Sequence, residues 1–172
     1  MPPRLTRDFF QRSTLDVAHD LLGKTLVYHD YRGRITETEA YIGHDDPACH
    51  AARGKTPRNA VMFEQAGLAY VYFIYGMYFC MNIVTEAEGF GAAVLIRGVL
   101  EPSNHHINGP GKLCRDWGIT RSDNGRDLII DPQFHVLDTP SFKHVIRGPR
   151  VGIKQGLELD WRFVANPKEQ LA

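Results

Sequence analysis

Hydrophobic and polar positions change period along the chain, and the changes predict its elements. Leu15, Ala18, Leu21 and Leu22 recur at helical spacing behind Ser13 and Thr14, either of which can cap a short helix, and Gly23 supplies a left-handed stop. The period then falls to two. Strands are predicted over residues 25–29 and 34–42, with a turn near 31–33 that makes them a hairpin. Residues 43–65 lose periodicity and gather Asp45, Asp46, Pro47, Gly54, Pro57 and Asn59. They predict a long loop, and such loops inside compact domains are more often functional or disordered than merely connecting. Residues 68–74, rich in β-branched and aromatic side chains, read as a strand, 75–77 as the tip of a turn, 78–85 as the return strand and 92–100 as a third. Pro110 opens a helix that runs to Trp117 and stops at Gly118. Short strands are expected near 128–130, 145–147 and 161–164. The fold predicted is α+β: a single domain over residues 1–172 with a curved, largely antiparallel sheet, a protruding β-hairpin and flanking helices.

Composition sets bounds on this picture. A chain of 172 residues, 43% of them hydrophobic, should lose roughly 70% of its unfolded surface on folding. Net charge is zero, with 20 Lys and Arg against 20 Asp and Glu. Zero charge limits the average field and not its distribution; a basic strip can coexist with an acidic face, and any binding to nucleic acid driven by net charge alone should be weak, with a small salt slope. Cys49, Cys80 and Cys114 are odd in number and widely spaced, which points to neither a disulfide framework nor a zinc site and favours a reducing, cytoplasmic setting. Residues 1–11 are polar and charged, unlike a signal peptide. The longest apolar stretch, residues 68–81, is interrupted by Gly76 and falls short of the roughly 20 residues that span a bilayer.

Strand geometry then suggests chemistry. Side chains alternate between faces, so Glu37, Glu39 and Tyr41 share one face of their strand, and Tyr70, Tyr72 and Ile74 share one face of theirs. If both strands lie in one sheet, a carboxylate and several aromatic rings converge. A nucleobase needs such a site: its flat faces stack on rings, and cleaving its bond to the sugar needs a base to activate water. Tyr75, of opposite parity to Tyr72 and next to Gly76, would project from the hairpin tip, where it could wedge into a base stack.

The ordered segments Glu37-Thr-Glu-Ala-Tyr41, His50, Thr56-Pro-Arg-Asn59, Tyr70-Val-Tyr-Phe-Ile-Tyr-Gly-Met-Tyr-Phe-Cys-Met-Asn82, Leu95-Ile-Arg97, Glu101-Pro102, Asn108-Gly-Pro-Gly-Lys112, Pro149-Arg-Val-Gly-Ile153 and Trp161-Arg-Phe163 resemble the alkyladenine (3-methyladenine) DNA glycosylase family over nearly the whole chain. The resemblance implies that Glu39 is the general base activating water for attack at the sugar C1′ and that Arg97 helps hold that water. It implies that Tyr41 stacks on one face of a flipped base, with His50 and Tyr72 on the other. Asn82 would crowd the 2-amino group of guanine, and Tyr75 would intercalate. No lysine falls where the motif would place a Schiff-base nucleophile, so a monofunctional, monomeric enzyme without cofactor or metal is implied, acting on double-stranded DNA that carries damaged purines. The loop between Ile153 and Trp161 is shorter than in the family and the tail after Phe163 departs from it, which bears on substrate range more than on reaction type.

Taken singly, these residues have ordinary readings: a strand glutamate is usually solvated, and an aromatic strand is usually core packing, as expected for Tyr78 and Phe79. His44, Asp45, Asp46, Cys49 and His50 are potential metal ligands, but without HExxH or paired CxxC their spacing fits no zinc pattern. His105 and His106 are expected to face solvent. Residues 108–111 are glycine-rich but lack the GK[ST] of a phosphate loop, so a turn and helix start are expected. Arg53, Lys55, Arg58, Arg147 and Arg150 are candidates for phosphate contact. A second function class also stays open, a non-enzymatic nucleic-acid binder that stacks bases on its tyrosines; Glu39 and Arg97 together favour the enzyme, since stacking needs neither.

Overall fold

The sheet is built on β2 (Tyr31–Ile42), whose two edges recruit three strands. The computed structural model describes residues 1–74 and 76–168. On one edge β2 pairs first with β1 (Thr25–Tyr28) and further along with β9 (Arg162–Ala165); on the other it pairs with β5 (Ala92–Leu100). From β5 the sheet continues to β4 (Tyr78–Thr85) and β3 (Ala69–Ile74), which form an edge hairpin. Beyond β1 lies β7 (Phe134–Leu137); β6 (His106–Asn108) pairs with β5 and β8 (Val145–Gly148) with β9. Every pairing is antiparallel, so the fold is the expected α+β arrangement around a curved sheet.

Alternation sorts the central strands onto two faces. Ala40, Ile35, Val71, Met81, Ile83, Val94, Ile96 and Val99 point to the main core, which is closed by Phe10 of α1 (Arg7–Phe10), Val17 and Ala18 of α2 (Thr14–Asp20) and Leu113 and Trp117 of α3 (Pro110–Trp117). The opposite face carries a smaller buried cluster of Cys49, Ala51, Met62, Leu68, Tyr70, Val84 and Ala93. This second face is covered mainly by loops and the short 3₁₀ helix Ala60–Phe63, and it holds the candidate site. Among the described residues no helix is long and apolar enough to cross a membrane.

Several boundaries differ from the sequence reading. The β1–β2 turn occupies His29 and Asp30, ahead of the expected 31–33, because Tyr28 and Tyr31 pair directly and His29 takes φ 53°, the left-handed geometry that a two-residue hairpin favours. Ser13 stands at the N-cap of α2 without a side-chain cap bond; instead Glu86, just past β4, accepts from the Thr14 N–H and Oγ1 at 2.8 and 2.6 Å. The strand expected near 128–130 is a turn, with the N–H groups of Ile130 and Asp131 both donating to the Asp127 carbonyl. Its apolar side chains look strand-like because Leu128 plugs the core. The short elements α1, β6 and β7 show too little of a period to be read. His106 is half-buried, with Nε2 3.1 Å from Thr36 Oγ1, contrary to the expected solvent-facing pair.

Candidate active site

On the loop-covered face, β2 presents Glu37, Glu39 and Tyr41 in succession, β5 presents Leu95 and Arg97, β3 Tyr70 and Tyr72, and β4 Cys80 and Asn82. The strand registers bring Glu39 opposite Leu95, Leu95 opposite Asn82 and Asn82 opposite Tyr70. The β2–β5 register breaks around Glu37 and Gly98 and recovers at Thr38 opposite Ile96. Such irregularities re-aim side chains, and this one falls where Arg97 meets the two glutamates.

These side chains surround a cavity of about 580 Å³, large enough for a small heterocycle. Tyr41, His50, Tyr72, Asn82 and Arg97 line it, together with Val151 and its neighbours to Gln155 on a facing wall. Glu39 lies beneath, 0% exposed. Tyr41 Oη donates to Glu39 Oε1 at 2.8 Å, and the Val151 N–H donates to Oε2 at 2.6 Å. Arg97 Nη1 stands 3.7 Å from Glu39 Oε1, while its Nε donates to Glu37 Oε2 at 2.8 Å. Arg162 of β9 donates to the same Glu37 oxygen at 2.8 Å. Burial pushes the Glu39 pKa above the usual carboxylate value, against the pull of Arg97 and the two donors. A carboxylate of raised basicity beside an aromatic cavity can take a proton from water.

The aromatic wall is held from behind. His50 Nδ1 lies 3.0 Å from Tyr70 Oη, and its ring centre is 4.3 Å from that of Tyr72. The residue as a whole is exposed, but packing around the ring, with Arg58 nearby, holds its pKa below the usual value, so a neutral imidazole faces the cavity at pH 7. Asn59 staples the loop that carries His50: its Nδ2 donates to the carbonyls of His50 and Gly54, and its Oδ1 accepts from the Thr56 N–H. Asn82 is oriented by donation from Nδ2 to the Tyr70 carbonyl at 3.1 Å.

Residues 8–169 match the family described as methylpurine-DNA glycosylase (MPG). The chain belongs to that family. Among similar proteins, one of Sodalis glossinidius named "Putative 3-methyladenine DNA glycosylase" is 56% identical over 161 residues, covering 92% of this chain and 95% of its own. Proteins of the same name from Wolbachia sp. subsp. Brugia malayi (strain TRS) and Ehrlichia chaffeensis are 55% and 52% identical, covering 92% and 93% of this chain and 95% and 92% of their own.

Of the residues singled out in the sequence, the structure gathers Glu39, Arg97, Tyr41, His50, Tyr72 and Asn82 around one cavity. Tyr75 lies outside the described residues; beside it Gly76 has φ 64° and Met77 is 70% exposed. Tyr78 is not core: it is 41% exposed, lines the cavity and packs on Gly111, where an added Cβ would lie 2.9 Å from its ring. Phe79 does pack inward, 4.8 Å from Phe73. Arg150 is no phosphate ligand, being fully buried against Asp46, whereas Arg53, Lys55, Arg58 and Arg147 are exposed. The five potential metal ligands disperse: His44 and Asp45 pair at the surface, Asp46 binds Arg150, Cys49 Sγ lies 3.8 Å from the Gly91 carbonyl, and His50 faces Tyr70. No local spacing signals what Glu37, Asp46, Val151 and Arg162 do here, because their side-chain partners lie up to 125 positions away.

Proposed function

We propose that the whole chain is a monofunctional DNA glycosylase that flips alkylated or deaminated purines from double-stranded DNA and hydrolyses the N-glycosidic bond, acting as a monomer. One observation carries the reading: a fully buried carboxylate, Glu39, held by two donors beneath an aromatic cavity, with a guanidinium 3.7 Å away that is hydrogen-bonded elsewhere. Tyr41 supports stacking on one face of the extruded base, with Tyr72 and His50 on the other; Asn82 limits groups on the base edge.

Water, held between Glu39 and Arg97, attacks C1′ as the C1′–N bond breaks. Its proton passes to Glu39, and the bonding pair leaves with the purine. An alkylated purine departs neutral because it starts with positive charge; hypoxanthine or ethenoadenine needs a proton. The ionised carboxylate also stabilises the oxocarbenium character of the sugar, and the rings favour electron-poor, cationic purines. Tyr75, which follows β3 in the sequence, fills the gap left by the flipped base. Tyr75→Ser should slow release from stable base pairs more than from mismatched ones; equal slowing removes the wedge role.

Single-turnover incubation of wild type and Glu39→Gln with oligonucleotides carrying hypoxanthine, ethenoadenine or 7-methylguanine tests the whole. Abasic product from wild type, lost in the variant while abasic-site DNA is still bound, is expected. No product from any lesion would favour a base-stacking binder. Lys112 and Lys154 line the cavity, so borohydride is added to the same reaction. A trapped covalent protein–DNA adduct would overturn the monofunctional assignment.

A further inference from the structure

Behind the cavity wall lies an ion pair that the proposed reaction leaves unused. The side chains of Arg150 and Asp46 are both 0% exposed. They pair fork to fork, Nη1 to Oδ2 at 2.6 Å and Nη2 to Oδ1 at 2.8 Å. Arg150 Nη1 also donates to the Ala40 carbonyl at 3.0 Å, and Asp46 accepts from the N–H groups of Ile42 and Ala48, each at 3.1 Å. The guanidinium carbon lies 4.8 Å from the Tyr41 ring centre and 5.0 Å from that of Trp161. The fit is close: a Cβ on Gly156 would come within 2.7 Å of Nη2, and the buried Nε has no hydrogen-bond partner among the described residues.

Stability alone does not account for such a pair. Removing two charges from water is costly, and apolar side chains of similar volume fill such spaces as well or better. What the pair does, and an apolar plug would not, is bind three segments in a fixed relation. These are β2 at Ala40 and Ile42, the loop that puts Pro47 and Ala48 on the cavity, and residues 150–155 on its facing wall. The residue next to Arg150 is Val151, whose N–H sits on Glu39.

We propose that Arg150, locked by Asp46, is a positioning residue for the reaction: one buried clasp holds the Val151 N–H on the Glu39 carboxylate and backs the Tyr41 ring. The inference rests on the reading of Glu39 as the general base. Without the clasp the wall segment loses its anchor, and Glu39 loses a donor that favours its charged form. The other groups facing Glu39 are anchored independently of it. They are Glu37 on the same strand, Arg97 from β5, Arg162 from β9 acting through Glu37, and the Cys80 thiol from β4. The Tyr41 hydroxyl is the remaining donor, on a ring that the clasp backs.

The test compares wild type with Arg150→Gln and with the double variant Asp46→Asn/Arg150→Met. The double variant removes one charge of each sign and leaves no buried ion unpaired, so it folds even if the single variant does not. The Glu39 carboxyl titration is followed by ¹³C NMR and assigned with Glu39→Gln; single-turnover excision is followed across pH. In both variants the Glu39 midpoint should move up by about one pH unit, and excision should fall by about 10- to 100-fold, most steeply on the acid side, while abasic-site DNA is still bound. A merely structural role would lower the melting temperature or the active fraction and leave the midpoint in place. A cooperatively folded double variant with wild-type midpoint overturns the clasp, as does a moved midpoint with wild-type excision rates. Wild-type protein that releases no base fails the reading of Glu39 itself, and is recognised without reference to the variants.

Discussion

Arg126 and Arg97 each lie between two carboxylates, and they distribute their hydrogen bonds in opposite ways. Arg126 grips Asp131 with Nε and Nη2 at 2.8 and 2.9 Å and Asp123 with Nη1 at 2.7 Å. Asp131 also accepts the N–H groups of Gln133 and Phe134. Those bonds, the guanidinium's first, hold the Asp131 pKa below the usual carboxylate value. Arg97 gives its Nε to Glu37 and approaches Glu39 only to 3.7 Å, and burial raises the Glu39 pKa. An arginine between two carboxylates therefore makes a staple in one place and leaves a carboxylate of raised proton affinity in the other. The difference is whether the carboxylate is saturated by a bidentate partner or buried with a donor held back from it.

The comparison breaks most visibly if the carboxylates are neutralised one at a time. Glu39→Gln should cut single-turnover excision by roughly two to four orders of magnitude; a wild-type rate would remove Glu39 as the base. Asp131→Asn should leave excision per folded molecule unchanged and lower stability by about 2 kcal/mol in urea denaturation near neutral pH, the scale of a charged hydrogen bond. Loss of excision with full stability in that variant would contradict its role as a staple.

Stability against pH sharpens the contrast, because the two shifts have opposite sign. The folded pKa of Asp131 lies below its ordinary value of 3.8, so its stabilisation is present above that value and is lost as pH falls through the folded pKa. The folded pKa of Glu39 lies above its ordinary value of 4.5, so folding favours the protonated form, and stability declines as pH rises from there through the folded pKa. Glu39→Gln, which mimics the protonated acid, should thus gain on wild type over that window, while Asp131→Asn should converge with wild type at low pH. Denaturation midpoints measured across pH would reveal either sign reversed. Excision by wild type should rise over the same window in which Glu39 loses stability. The smallest effect is expected from Tyr41→Phe, which keeps the ring and removes one donor to Glu39: a loss of about tenfold or less, concentrated on the acid side of the profile. A uniform loss across pH would assign the hydroxyl to something other than the carboxylate.

Much of the fold was legible because its central strands are near-continuous apolar and aromatic runs bounded by turn residues, with side chains alternating between two covered faces. Residues 78–85 and 92–100 and the helix from Pro110 to Trp117 stand where the pattern puts them. The same alternation put Glu39 with Tyr41 and Tyr70 with Tyr72 on faces that meet at one cavity. Tyr78 misled because aromatic composition does not distinguish a core face from a cavity wall. It packs instead on Gly111, far along the chain.

The sequence by itself determined the sheet, the face on which the chemistry sits and, through ordered motifs, the family. These are local or near-local properties: strand period, turn chemistry and the run from Tyr70 to Asn82 depend on neighbours along the chain. Tertiary structure alone decided how Glu39 is held, since its donor at Val151, its guanidinium neighbour at Arg97 and the Asp46–Arg150 pair come from segments far apart in sequence. Burial and hydrogen bonding set a carboxylate's proton affinity, and both arise only when those segments close over it.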